Sequence, residues 1–207
     1  MNPDNTIFIT ALILAGGKSS RMGQDKALML WDGTPILERV CQVAAECCQQ
    51  VYILTPWPDR YQAIVNKKYK FLQESRPGQG PLVGLAEGLA EITADWILLL
   101  ACDLPLLEPE ILQNWVSQLS HIPLHILAVV PRRAELWEPL CAFYRREALP
   151  DLHKFIQKGE RSFQTWLKEI PVQAIPVGEK EARMLWNCNS PTDMQQVVDS
   201  YHVRWHW

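Results

Sequence analysis

The stretch from Ala11 to Lys26, ALILAGGKSSRMGQDK, constrains the fold of this 207-residue chain more than any other. Five apolar residues lead up to Gly16 and Gly17, and a polar loop follows. A nearly continuous apolar run predicts a β-strand that is covered on both faces, as the strands of parallel sheets are. We therefore predict a buried strand over residues 6–15 whose carboxyl end opens a crevice at the edge of an α/β sheet.

The loop after this strand combines glycine with positive charge. Gly16 and Gly17 lack a Cβ, so their backbone can adopt positive φ and bring bare N–H groups against a ligand. Three basic residues fall within nine positions beside a single acid, Asp25: Lys18, Arg21 and Lys26. We expect such a loop to bind an anion. The spacing matches neither G-x-x-x-x-G-K-[ST] nor G-x-G-x-x-G, which excludes an ordinary P-loop and a Rossmann dinucleotide turn.

Residues 14–26 resemble the L-A-G-G-x-S-x-R-M-G-x-D-K loop of molybdenum cofactor guanylyltransferases, and every fixed position matches. That family lies within a wider group of nucleotidyltransferases whose loop is roughly L-A-x-G-x-x-x-R-M. The resemblance implies catalytic roles for Arg21 and Lys26, which would neutralise the triphosphate and the leaving pyrophosphate. It also implies nucleotide binding by Lys26 and by the main chain of Leu14, Ala15, Gly16 and Gly17.

A second long apolar strand is predicted over residues 96–102, and it ends at Asp103. An aspartate at such a position is often only a turn-former or a helix cap. Open parallel sheets, however, bind ligands outside the carboxyl ends of their central strands. Residues 102–105 match the C-D-x-P text of the family, and the resemblance implies that Asp103 is catalytic, binds the nucleotide and holds Mg²⁺ beside the phosphates.

Two further segments gain a functional interpretation only through the resemblance. The loop over residues 73–84 is rich in glycine and proline, and by itself it fits an ordinary surface connection equally well. The family has P-G-x-x-P-L-x-G-like text here, which implies acceptor binding at Gly80 and Pro81. Glu74 stands where the family tends to have Asp, and we expect its carboxylate to accept hydrogen bonds from guanine N–H groups.

Near the carboxyl terminus, Asn187 and Asn189 alternate in a segment that resembles the family's N-x-N-T-P, with Ser190 in place of threonine. Alternate residues of an extended segment point the same way, so both amides could face a polar ligand. As turn residues they would be unremarkable. The resemblance implies that they bind the acceptor.

Charge and cysteine content exclude several classes of protein. A net charge of −3 gives no general attraction to nucleic acid or to an anionic membrane, so we expect neither as a partner. The six cysteines form no C-x-x-C pair of the kind that binds zinc, and they are predicted to be small buried side chains in a reducing cytoplasm. The amino terminus lacks the basic region of a signal peptide, so a cytoplasmic location is expected.

Alternating strand and helix signals predict a single three-layer α/β domain over residues 1–207, doubly wound around a mostly parallel sheet, a Rossmann-like nucleotidyltransferase fold. Local signals predict a helix with Thr34 as its cap and Pro35 at its first position, a helix over residues 163–170, and a short strand over residues 184–186.

The resemblance implies transfer of GMP from GTP to the terminal phosphate of molybdopterin, the pterin of the molybdenum cofactor, with Mg²⁺ as cofactor. Further partners would be other cofactor-biosynthesis proteins and apo-molybdoenzymes. Two alternatives stay open: a cytidylyl- or sugar-phosphate nucleotidyltransferase, and a nucleotide-binding module without catalytic activity.

Overall fold

The computed structural model describes residues 7–16 and 25–188, and the backbone of residues 205–206. The strands are β1 (Ile9–Leu14), β2 (Leu30–Trp31), β3 (Thr34–Pro35), β4 (Gln50–Thr55), β5 (Lys70–Gln73), β6 (Trp96–Ala101), β7 (Ala128–Arg133), β8 (Leu136–Trp137), β9 (Cys141–Arg145), β10 (Val172–Pro176) and β11 (Trp205–His206). The α-helices are α1 (Ile36–Cys47), α2 (Pro58–Tyr61), α3 (Pro81–Glu91), α4 (Pro109–Gln118), α5 (Leu149–Gln157), α6 (Phe163–Trp166) and α7 (Glu179–Met184).

The main sheet has the strand order β10-β7-β9-β6-β1-β4-β5, with β8 paired to β7. Strand β1 lies between β4 and β6 and is parallel to both, with Leu14 opposite Leu54 on one side and Ala101 on the other. Strand β9 is antiparallel to β6 and to β7. The sheet is therefore mixed but mostly parallel, as predicted.

The order of the strands creates a switch point at β1. The chain passes from β1 to β4 and β5 on one side, then returns to β6 on the other side. The crossovers on the two sides diverge there and leave a crevice outside the carboxyl ends, where doubly wound sheets bind their ligands. The predicted doubly wound α/β architecture is confirmed.

Helices cover both faces of the sheet, and β1 contributes alternate side chains to each side. Ala11 and Ile13 belong to the apolar cluster that includes the buried faces of α1 and α4, whereas Leu12 belongs to the cluster formed with α3, α5 and α6. Both clusters are made of side chains with little or no exposure. The sheet is thus the middle of three layers, and the site at its edge rests on a packed core.

The start of α1 differs from the prediction. Thr34 and Pro35 form β3, which pairs with β2 across a turn in which Asp32 and Gly33 have φ of 49° and 79°. The Ile36 N–H donates to the Met29 carbonyl at 2.8 Å. The helix therefore begins at Ile36 with Pro35 as its cap, because the short hairpin holds the two preceding residues in an extended conformation.

Two other local predictions are wrong. Met184, placed in a strand by its apolar neighbours, ends helix α7, whose first turn is fixed by the Glu181 side chain accepting from the Gly178 N–H at 2.9 Å. The predicted helix over residues 163–170 is α-helical only to Trp166. Beyond Trp166 the backbone continues as a tighter turn of the 3₁₀ kind, in which the Glu169 N–H donates to the Trp166 carbonyl, three residues back.

None of the six cysteines forms a disulfide, and four are buried as predicted: Cys41, Cys47, Cys141 and Cys188. Cys48 and Cys102 are partly exposed instead. Burial raises the pKa of the Cys47 thiol to about 11, so it stays protonated and unreactive at neutral pH. Within the part of the chain described here, no helix is long and apolar enough to cross a membrane.

Candidate active site

Main-chain hydrogen bonds continue past the ends of the central strands and fix the segments that follow them. The Ala15 N–H donates to the Leu54 carbonyl at 2.9 Å, and the Glu74 N–H donates to the Thr55 carbonyl at 3.0 Å. On the other side of β1, the Cys102 N–H donates to Leu14 at 3.3 Å. The residues after β1, β5 and β6 are thereby held along one edge of the sheet.

Lys26 and Asp103 meet at the switch point. Their Nζ and Oδ2 atoms are 3.4 Å apart, and the two side chains are only 16% and 22% exposed. Residues 77 positions apart in the sequence thus form a half-buried ion pair beside the end of β1. This pairing brings together the two residues for which the sequence analysis predicts phosphate and metal binding.

Asp25 holds the segment that carries Lys26. Its Oδ1 accepts from the Ala27 N–H at 3.1 Å and so caps a short 3₁₀ helix over Lys26–Leu28. Its Oδ2 accepts from the Tyr61 hydroxyl at 2.7 Å and from the Arg60 guanidinium at 3.1 Å, both on α2. The sequence analysis counted Asp25 only as an acid of the loop. An Asp directly before a short helical turn is a capping signal that could have identified this role.

Glu74 lies directly over Gly16. A Cβ built on Gly16 would lie 2.5 Å from the Glu74 Oε2 and 2.9 Å from the Pro56 Cδ. Gly16 does not use the positive φ that glycine permits, because its backbone lies outside the left-handed region. Glycine is needed here to leave room for the carboxylate and the proline ring. Burial, and then the charge of Glu87, raise the pKa of the Glu74 carboxyl above its usual value.

The loop after Glu74 turns sharply and leads into helix α3. The Gln79 N–H donates to the Arg76 carbonyl at 3.3 Å, and Gly78 has a φ of 81°, which makes a turn of the kind that favours glycine at its third position. Gly80, with a φ of 92°, precedes the helix, and Pro81 is its first residue. The two predicted acceptor-binding residues therefore form the amino terminus of α3.

Arg161 also contacts this loop, and the sequence analysis missed it. Its guanidinium donates to the Gln79 Oε1 at 3.3 Å and to the Ile156 carbonyl at 2.9 Å. It follows Gly159, which ends α5 with a φ of 87°. No short-range pattern in the sequence signals a contact between residues 82 positions apart.

The segment around Asn187 joins the edge of the sheet at Asp103. The Cys188 N–H donates to the Asp103 carbonyl at 3.2 Å, and Arg183 is paired with Glu108 at 2.8 Å. Asn187 therefore lies in a segment that is hydrogen-bonded to the residue after β6. Five residues singled out from the sequence lie outside the described part of the chain: Gly17, Lys18, Arg21, Asn189 and Ser190.

The side-chain ligands at this edge of the sheet fit a metal ion that arrives with a nucleotide. The described residues contain no cluster of three or more His, Cys, Asp or Glu side chains that could hold an ion by themselves. Asp103 offers one partly exposed carboxylate at the strand end. Mg²⁺ is commonly held by one or two carboxylates together with substrate phosphates, so a single carboxylate suffices for such a site.

Comparison with known proteins gives a consistent result. Residues 11–173 match the family model described as MobA-like NTP transferase domain. The chain is 52% identical over 193 residues to a probable molybdenum cofactor guanylyltransferase from Nostoc sp., covering 93% of this chain and 92% of that one. It is 46% identical to a protein of the same description from Synechococcus elongatus, covering 90% and 96%.

Among solved structures, the chain resembles molybdopterin-guanine dinucleotide biosynthesis protein A from Archaeoglobus fulgidus. The TM-score is 0.76 at 22% identity, and the match covers 92% of this chain and 97% of that one. At that identity the match supports the fold.

Proposed function

Because the chain belongs to the family of MobA-like NTP transferase domains, we propose that it transfers GMP from GTP to the terminal phosphate of molybdopterin, releasing pyrophosphate. The observation that carries the proposal is the Lys26–Asp103 pair, 3.4 Å apart outside the carboxyl end of β1. The pair joins the cation that we propose for phosphate binding to the carboxylate that we propose for Mg²⁺ binding, in a chain 52% identical to a probable guanylyltransferase.

The reaction requires no covalent catalysis by the protein. An oxygen of the acceptor phosphate attacks the α-phosphorus of GTP, the bond from that phosphorus to the bridging oxygen breaks, and pyrophosphate leaves with the bond's electron pair. The nucleophile is already an anion at neutral pH, so no serine, cysteine or histidine has to be activated. Positioning and charge neutralisation therefore account for catalysis in this mechanism.

Charge neutralisation is assigned to Lys26 and Arg21, which would bind the phosphate oxygens and the departing pyrophosphate. Asp103 would hold Mg²⁺, which supplies charge stabilisation at those oxygens when it is bound. The fixed position of Lys26 supports its assignment, because Asp25, Tyr61 and Arg60 hold its segment before any substrate arrives. A preorganised cation costs less reorganisation during the reaction than a mobile one.

Base recognition is assigned to the other side of β1. Guanine presents two neighbouring N–H donors, the ring N1–H and the 2-amino group, and a carboxylate accepts from both. Cytosine presents acceptors at the corresponding ring positions, which a carboxylate repels. Glu74 would therefore favour GTP, while the main chain of Leu14, Ala15, Gly16 and Gly17 would support the base. Acceptor binding is assigned to Gly80, Pro81, Asn187 and Asn189.

The remaining parts of the proposal concern the setting of the reaction. We place it in the cytoplasm, with GTP and molybdopterin as substrates. Other cofactor-biosynthesis proteins would supply the pterin, and apo-molybdoenzymes would receive the product.

The test is pyrophosphate release by the purified protein with GTP, CTP, ATP and UTP, each with and without molybdopterin, in Mg²⁺ and in EDTA. We expect release only with GTP, molybdopterin and Mg²⁺ together, and a product with the mass of the guanine dinucleotide. A preference for CTP would favour the cytidylyl alternative. Nucleotide binding without release under every condition would favour a module without catalytic activity.

A further inference from the structure

Helix α3 is seated directly on β1, the strand that carries Gly16. A Cβ on Gly88 would clash with the Leu12 side chain, and one on Gly84 would lie 3.2 Å from both the Leu14 Cδ2 and the Leu54 Cδ2. These two glycines allow the helix to approach the sheet at contact distance. Helix α3 is therefore fixed against the sheet, and segments that its other side chains hydrogen-bond are held in place relative to β1.

Glu87 uses that helix to hold the loop that follows Glu74. Its carboxylate accepts from the Ser75 N–H at 2.9 Å, from the Ser75 hydroxyl at 2.6 Å and from the Arg76 Nε at 3.4 Å. The Glu87 side chain is only 10% exposed. These hydrogen bonds lower the pKa of Glu87 against the effect of its burial, so it remains ionised and a strong acceptor.

Packing alone does not hold this loop. An open cavity of about 310 Å³ borders it, and its lining includes Leu54, Leu72, Ser75, Arg76 and Glu87. With space on that side, the direction of the loop depends on its hydrogen bonds. Glu74 is thus fixed from both ends, by its own N–H on Thr55 and by its neighbours Ser75 and Arg76 on Glu87.

We propose that Glu87 is a positioning residue for nucleotide recognition, which holds Ser75 and Arg76 so that the Glu74 carboxylate stays over Gly16. This inference rests on the proposed function, in which Glu74 accepts from guanine. Contacts run from β1 through Gly84 and Gly88 to Glu87, and from there through the loop and Glu74 back to Gly16. Glu87 would not contact the nucleotide itself.

The test compares GTP with inosine triphosphate, whose base lacks the 2-amino group, in the full-length protein. Glu87→Ala should lower kcat/KM for GTP about tenfold, the equivalent of one good hydrogen bond, mainly through KM. The loss with inosine triphosphate should be about threefold or less, so that the preference for GTP shrinks. Glu91→Ala, one turn further along α3 and exposed, is the matched control and should leave both values unchanged.

A double-mutant cycle separates positioning from a general structural effect. In a Glu74→Ala background, Glu87→Ala should cause no further loss with GTP, because the carboxylate that it positions is gone. Equal losses with the two nucleotides, or a full tenfold loss in that background, would overturn the inference.

Ser75→Ala provides a second route in case Glu87 variants do not fold, since it removes the 2.6 Å hydrogen bond without altering α3. It should reduce the preference for GTP about threefold, and an unchanged preference would contradict the inference. A wild-type protein that prefers another nucleotide would instead contradict the proposed function. The two failures are therefore distinguishable in one set of measurements.

Discussion

Two carboxylates stand at the carboxyl edge of the same sheet in different surroundings. Asp103 follows β6 and lies 3.4 Å from the Lys26 ammonium group. Glu74 follows β5 and lies over Gly16, where burial and the nearby charge of Glu87 raise the pKa of its carboxyl. The first carboxylate has a cation to balance its charge, whereas the second is placed where its charge is disfavoured.

Under the proposed function, the two carboxylates have different tasks. A carboxylate beside a cation is suited to a site where both phosphates and a metal ion bind. A partly desolvated carboxylate with no cation beside it is stabilised by N–H donors, such as those on the edge of a guanine base. The comparison predicts that substitutions on the Asp103 side reduce turnover, and that those on the Glu74 side change nucleotide preference.

The largest effect is expected for Asp103→Asn. An amide keeps the shape and can still form hydrogen bonds, but it lacks the charge that we propose for Mg²⁺ binding, so turnover should fall about 1,000-fold while the protein remains folded. Pyrophosphate release at millimolar Mg²⁺, with circular dichroism as the folding check, measures this. Asp151→Asn, on the exposed face of α5, is the control. Near-normal activity of Asp103→Asn would rule out the metal assignment.

Lys26→Ala should cost about 100- to 1,000-fold in kcat, the loss typical of removing one preorganised group that stabilises developing charge. The loss of stability should be small beside the loss of turnover, because the Asp103 carboxylate is 22% exposed and keeps its contact with water when Lys26 is removed. We expect the same pattern for Arg21→Ala. Lys67→Ala, an exposed substitution, serves as the control for loss of positive charge. A variant that mainly lowers the melting temperature would identify a structural residue instead.

Gly16→Ala tests the other side of the comparison. The new methyl group would displace the Glu74 carboxylate or the Pro56 ring, which lie 2.5 and 2.9 Å from the position of its Cβ. We expect kcat/KM for GTP to fall about 10- to 200-fold, the range for a change of one carbon in a pocket, and CTP to be affected much less. Both nucleotides should be measured at one Mg²⁺ concentration. Equal losses would mean that the substitution merely damages the loop.

The framework of the fold was predictable from local sequence because buried parallel strands are nearly continuous apolar runs. Strand β6 was predicted within one residue of its observed end, and α1 was recognised by its buried face. Errors occurred where contacts between residues distant in the sequence, or the end of a helix, decide the backbone conformation. Pro35 was misplaced because β2 holds it, and Met184 was misassigned because apolar neighbours at a helix end resemble a short strand.

The site was predictable only in part, for a related physical reason. The sequence indicated Lys26 and Asp103 separately, since each follows an apolar strand, and the resemblance suggested Glu74. Nothing local indicated that Glu74 would occupy the space left by Gly16, or that Tyr61 would hold Asp25 from 36 positions away. These contacts depend on which strands become neighbours, and that is a property of the whole sheet.

The smallest expected effect concerns the stability that Glu74 contributes as the pH changes. Because the folded-state pKa of Glu74 is raised, the native state holds this proton more tightly than the unfolded state does. The stability from this group is therefore present at acid pH and is lost as the pH rises through the folded pKa. The glutamine of Glu74→Gln does not titrate. The melting temperature of this variant, relative to that of the wild type, should therefore rise between pH 4 and pH 7, by less than about 3 °C.

The same Glu74→Gln variant should lose preference for GTP over inosine triphosphate, because an amide offers one acceptor where the carboxylate offers two. Thermal unfolding of both proteins across that pH range, together with kcat/KM for the two nucleotides, measures both effects. A gain in stability with a loss of preference would identify Glu74 as a residue retained for recognition at some cost to the fold. If the wild type instead became relatively more stable as the pH rose, the ionised Glu74 carboxylate would be stabilised in the native state, and Glu74 would not be a carboxylate whose charge is disfavoured.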